Sequence, residues 1–247
     1  MSNTFNFKRF NKVLAFDWKR FIRNFGITLL VWISMPVMFW VTSLVFDFEL
    51  ENWVRVFIIL GLIVITVMSA PSRIYGKVNL PREGVGFAML PATSSEKFFS
   101  MFIYCSLLTP FLTLVGAWIV DSLMTLLPFG GFKEFIPLKE IMTDGSFGER
   151  MLAFLAIVAT AWAESSAFMF GNMLFKRRKA GKTFGWMLLI LFVLVLIFEV
   201  TGGWRLFEYI FFDDDSILNS LIYSIIMLLI ACGFYFGTYR KITTQKY

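Results

Sequence analysis

Glu164 is the one acid inside a long apolar stretch, with Ser165 and Ser166 beside it and Asn172 two helical turns further on. A carboxyl group, hydroxyls and an amide on one helix can line a polar path through lipid or hold a seam between helices. They are a thin basis for covalent chemistry. Histidine is absent, which removes the usual near-neutral acid/base and the commonest zinc ligand. No second acid stands near Glu164 for paired-carboxylate work, so an intramembrane enzyme is disfavoured. Cys105 and Cys232 fall inside apolar runs and read as small apolar side chains, with no disulfide or redox spacing. No catalytic residue, metal ligand or cofactor site is therefore assigned. Gly181, Lys182 and Thr183 echo the end of a phosphate-binding loop, but residue 176 is Lys where that motif needs Gly, and no strand precedes it. A proton-coupled carrier built on Glu164 would need an internal repeat, and none is evident.

The elements that must position these groups are six apolar runs, at 26–46, 56–72, 98–120, 151–175, 183–198 and 216–239. A helix rising ~1.5 Å per residue needs roughly 20 apolar residues to cross a ~30 Å hydrocarbon core, and the runs cluster near that length. The short alternating segments of an outer-membrane barrel are missing. The pattern predicts an all-α, polytopic membrane protein with six transmembrane helices, its spanning domain covering 26–247.

Eighteen of the 23 basic residues lie on one side of these runs, in the segments 1–25, 73–97, 176–182 and 240–247. The opposite loops hold Arg55, Lys133, Lys139, Arg150 and Arg205 beside thirteen acids, including Asp213, Asp214 and Asp215. The positive-inside rule then places both termini in the cytoplasm. It also accounts for the net charge of +6 without nucleic acid, because the excess sits where anionic lipid headgroups are nearest.

Residues 1–25 precede an apolar run too long for a signal-peptide h-region, with no A-x-A-like site, and are expected in the mature protein. Phe7, Phe10, Leu14, Trp18, Phe21 and Phe25 share one helical sector, opposite Lys8, Arg9, Lys12, Lys19, Arg20 and Arg23. This predicts an amphipathic interfacial helix over 1–25, lying in the headgroup plane with its aromatics in lipid.

The most informative polar segment is 73–97. Pro81 suits a first helical turn, Pro91 ends any helix begun there, and Thr93 with Glu96 forms a capping-box pattern that starts the third span. A short surface helix carrying exposed Phe87, Met89 and Leu90 is expected, and such side chains want a protein partner.

Arg82, Glu83 and Gly84, followed by Phe87 to Leu90, Pro91, Ala92, then Ser95, Glu96 and Lys97, resemble the intracellular loop of type-2 ATP-binding-cassette exporter permeases. In that family an E-x-G-T-like start, a leucine-rich turn and an L-P-x-S-x-x-E-like end form the coupling helix that docks on the ATPase. The amphipathic N-terminal helix, the six spans, the inward termini and the basic turn F-K-R-R-K-A-G-K-T at 175–183 are similar too. The chain departs from the family pattern at Val85, where Thr is usual, and in Glu83 standing directly before Gly84. Its longest outer loop, 121–150, lies between spans three and four rather than five and six.

The resemblance implies a permease subunit of an exporter in the bacterial cytoplasmic (inner) membrane. Arg82, Glu83, Gly84, Phe87, Met89, Leu90 and Pro91 would form the ATPase-coupling surface, and Glu164, Ser165 and Asn172 would line a translocation path or helix seam. Partners would be separate ABC ATPase subunits and a second permease chain, identical or sibling. The alternative is a non-transporting membrane binding, immunity or scaffold protein with the same helices and no ATP-driven cycle.

Overall fold

The computed structural model describes residues 5–80, 84–127, 132, 135–136, 147–201 and 217–244. Every regular element among them is helical: α1 (Phe7–Phe21), a π-helical turn (Ile22–Gly26), α2 (Ile27–Ile33), α3 (Met35–Val45), α4 (Asn52–Ile74) and α5 (Val85–Ala88). There follow α6 (Ser94–Phe102), a second π turn (Ile103–Leu108), α7 (Thr109–Thr125), α8 (Phe147–Leu174), α9 (Lys179–Thr201) and α10 (Ile217–Thr244).

Six stretches among the described residues are long and apolar enough to cross a membrane: Phe7–Val45, Asn52–Ile74, Ser94–Thr125, Met151–Leu174, Lys179–Ile197 and Asn219–Thr244. The chain is an all-helical, multi-pass membrane protein. Its helices overrun the apolar runs by several residues at most ends, because polar side chains at a span boundary reach water while their backbone stays helical.

Two spans are interrupted where proline removes a backbone donor. The first breaks at Ser34, just ahead of Pro36 in the opening turn of α3. The third passes through the π turn before Pro110, and the Thr109 hydroxyl donates to the Tyr104 carbonyl at 2.7 Å. Pro71 lies in α4, which ends at Ile74.

The principal core gathers at the end of the bundle where α1 begins and α10 ends, henceforth the basic end. Phe21, Phe25, Tyr75, Phe87, Met101, Met169 and Met173 are buried there, and Ile242 near the C-terminus packs against them. A smaller cluster of Ile59, Leu62, Ala117 and Ile136 lies toward the opposite, acidic end. α10 lies along α8, where the Phe170 ring sits in the space left by Gly237. α9 stands apart. From Leu188 to Ile197 every side chain is exposed, and its close approach to α8 is where Gly171 leaves room for Thr183.

Candidate functional site

The basic end holds a polar framework that ties α1 to the rest of the bundle. Asp17, fully buried, accepts from the Tyr75 hydroxyl at 3.0 Å and the Ser100 hydroxyl at 2.6 Å, so one carboxylate oxygen joins α1, the end of α4 and α6. Its other oxygen faces Arg20 Nη1 at 3.7 Å, an ion pair too long for a hydrogen bond. Burial, and then the neighbouring Asp17 carboxylate, push the Tyr75 phenol well above its ordinary pKa, so it remains a donor.

Glu96 is the second anchor. Its Oε2 accepts from the Thr93 N–H at 2.9 Å and Thr93 Oγ1 from the Glu96 N–H at 3.3 Å, completing the capping box read in the sequence. Its Oε1 accepts from the Asn6 N–H at 2.8 Å and Arg9 Nη2 at 3.1 Å. Tyr104 adds a bond to the Leu14 carbonyl at 2.8 Å. Asn6 and Arg9 meet Glu96, Leu14 meets Tyr104 and Asp17 meets Ser100, all within the first turns of the third span. α1 therefore runs alongside the start of that span.

This revises the picture of a separate helix with its aromatics in lipid. Phe10, Phe21 and Phe25 are buried in protein, only Phe7 and Trp18 of the aromatic stripe are exposed, and no loop separates α1 from the first span.

The loop between α4 and α6 is built on that framework. Gly84 is buried and its N–H donates to the Leu80 carbonyl at 2.8 Å. The single turn α5 then presents Met89, 78% exposed, and exposed Pro91, while Leu90 is half-buried against the core. Phe87 is not exposed as expected. At 1% exposure it is a core residue, its ring 6.4 Å from Tyr75, 5.8 Å from the Arg20 guanidinium and 5.2 Å from Lys97 Nζ. The turn is too short to have an outward apolar face of its own, so it buries its largest ring and leaves Met89 at the tip. Arg82 and Glu83 lie outside the described residues.

A third set of contacts fastens the segment after α4 to the turn between α8 and α9. Asn79 Nδ2 donates to the carbonyls of Asn172 (3.0 Å), Met173 (3.2 Å) and Phe175 (2.8 Å), closing the C-terminus of α8 as a side-chain cap. Lys179 donates to the Gly76 carbonyl at 2.5 Å and to Asn79 Oδ1. Asn172 belongs to this knot, its Nδ2 donating to the Tyr75 carbonyl at 3.2 Å. Eight residues of helix, ~12 Å along the axis, separate it from Glu164, so the two do not form one site.

Ser165 and Glu164 part company as well. Ser165 is buried in a three-helix node, with Ser106 Oγ at 2.7 Å from its own Oγ and Tyr235 donating to Ser106 at 2.8 Å. It holds a helix seam. Glu164 is half-buried with no hydrogen bond or ion pair to another described residue, and it lies ~20° from Gly171 around α8, on the side turned to α9.

At the acidic end, Arg55 and Asp121 form a buried bidentate pair, Nε to Oδ1 at 3.1 Å and Nη2 to Oδ2 at 2.5 Å. Arg55 also donates to Asn52 at 3.0 Å and stands 4.3 Å from the Phe132 ring centroid. The sequence reading placed Arg55 in an outer loop. It lies instead in the first turn of α4, 2% exposed, and Asp121 lies in the last turns of α7.

Asp17, Tyr75, Asn79 and the Arg55–Asp121 pair were not singled out from the sequence. The available signal was Asp17 alone among the bases of an amphipathic helix, on its apolar side. Compared with protein-family models, curated proteins and solved structures, the chain matches none of them.

Proposed function

We propose that this chain is the transmembrane permease subunit of an ATP-driven exporter of the bacterial cytoplasmic membrane, with the basic end inward. The reading rests on the resemblance in 82–97 and on one structural observation. Met89 is held at an exposed tip while Phe87, two residues earlier, is locked between Tyr75 at the end of α4, Lys97 at the start of α6 and Arg20 of α1. A push on the tip is thereby delivered to three helices at once, through a buried ring rather than a flexible linker. No covalent chemistry is asked of this chain; ATP is hydrolysed on separate subunits. α9, exposed from Leu188 to Ile197, offers a face for a second permease chain, and Glu164 lies on the side of α8 turned to it.

The test is purification from the native membrane without crosslinker, with Met89→Glu as the variant. Wild type is expected to bring down an ABC ATPase. A charge at the tip should lower its recovery by about 30-fold, the equivalent of a ~2 kcal/mol hot spot, with an unchanged elution profile of the permease itself. Recovery of no ATPase by wild type refutes the proposal.

A further inference from the structure

Beside the knot formed by Asn79 and Lys179 there is a cavity of about 590 Å³ that the exporter reading does not use. Arg73 at the end of α4, Lys77 just after it, Lys176 and Arg178 from the turn before α9, and Lys179 all line it. None of the described residues lining it is acidic. We propose that this cavity binds a phosphate-bearing anion, supplied in the membrane by the headgroup of an anionic phospholipid.

Three observations carry this. Arg73 from one segment and Lys176, Arg178 and Lys179 from another converge on one concave space, where their mutual repulsion is offset when an anion lies between them. Arg178 is held with φ 50°, a left-handed conformation unfavourable for a residue with a Cβ, immediately before α9 begins. Its carbonyl accepts from the Lys182 N–H at 2.9 Å, so the first turn of α9, with Gly181 at the cavity wall, directs its N–H groups toward the same space. Finally, the cavity lies where α4 and α8 end and α9 begins, at the ends of three spans, the depth at which lipid phosphates sit. Its floor is rigid because Lys179 is tied to Gly76 and Asn79. The inference does not depend on any ATPase partner.

The full-length protein is placed in nanodiscs of phosphatidylcholine containing a minor fraction of phosphatidylglycerol, and phospholipid retained after detergent extraction is counted by native mass spectrometry. Three proteins are compared: wild type, Arg73→Gln/Lys176→Gln/Arg178→Gln, and a control, Lys8→Gln/Lys12→Gln/Lys19→Gln, which removes three exposed charges from α1 at the same end. A second arm measures thermal stabilisation by pyrophosphate in pure phosphatidylcholine discs. Each cation near an anionic headgroup contributes a factor of about five, so the cavity variant should retain phosphatidylglycerol roughly 100-fold less well. The control should resemble wild type.

The single variant Lys176→Gln, with a loss of about fivefold, stands in if the triple variant fails to elute as a single species. If only the pyrophosphate arm separates wild type from the cavity variant, the anion site stands and its source is a soluble phosphate. Equal losses in cavity and control variants, or no separation in either arm, overturn the proposal.

Discussion

Asp17→Ala is the most direct test of how α1 is held. The substitution leaves the buried hydroxyls of Tyr75 and Ser100 without the carboxylate that now accepts from them at 3.0 and 2.6 Å. A hydrogen bond to a charged group contributes about 1.5–3 kcal/mol, so the two together predict a loss of roughly 3–6 kcal/mol. Removal of a carboxylate from a fully buried position offsets part of this by relieving its desolvation, which favours the lower end. The loss falls on the contacts of α1 with α6 and with the end of α4, because those elements carry the two hydroxyls that Asp17 holds.

Limited trypsin digestion in nanodiscs reads it directly, since Lys8, Lys12 and Lys19 lie on α1 and their backbone is cut only when the helix is released and unwinds. With opening faster than cleavage, the rate follows the open population. A loss of ~3 kcal/mol corresponds to a rise of about 150-fold. Tyr75→Phe, which removes one of the two donors, should raise cleavage by about tenfold. If Asp17→Ala cleaves at the wild-type rate, the carboxylate does not hold the helix. Burial of Phe10, Phe21 and Phe25 would then suffice.

Two further outcomes are expected. Asp121→Leu removes the carboxylate that pairs with the buried Arg55 guanidinium and should destabilise the protein by about 3–5 kcal/mol in reversible detergent unfolding, whereas Arg55→Met/Asp121→Leu should recover most of that loss; equal destabilisation in both would show that the pair is not the cause. Gly171→Ala places a Cβ against the Thr183 side chain and should weaken the docking of α9 on α8 by about 1–3 kcal/mol, with Thr183→Ala relieving it, measured as crosslinking between cysteines introduced on the two helices.

The solvent of this protein was legible without coordinates. Long uncharged runs can satisfy their backbone in lipid only as helices, so the span at 98–120 reappears inside Ser94–Thr125 and that at 26–46, save its last residue, inside Phe7–Val45. The Thr93–Glu96 cap was legible for the same reason, because its partners are three residues apart and need no knowledge of the fold. What failed to show was which apolar and charged side chains meet protein. Phe87 and Met89 read alike in sequence, yet one is buried and the other lies at a tip, since only the third dimension brings Tyr75 and Lys97 to the first of them.

Charges near span boundaries were ambiguous in the same way. Lipid gives a hydrophobic residue the same welcome as a protein interior, and water at the rim receives a charge as readily as a partner does. Arg55 and Asp121 are 66 positions apart, and Asp17 is 58 and 83 positions from its two hydroxyl partners. Sequence alone therefore determined that the chain spans a membrane and where its helices lie. Tertiary structure decided which of its charged groups are pinned inside, because a buried ion or carboxylate is tolerated only when partners from distant segments are brought within hydrogen-bonding reach.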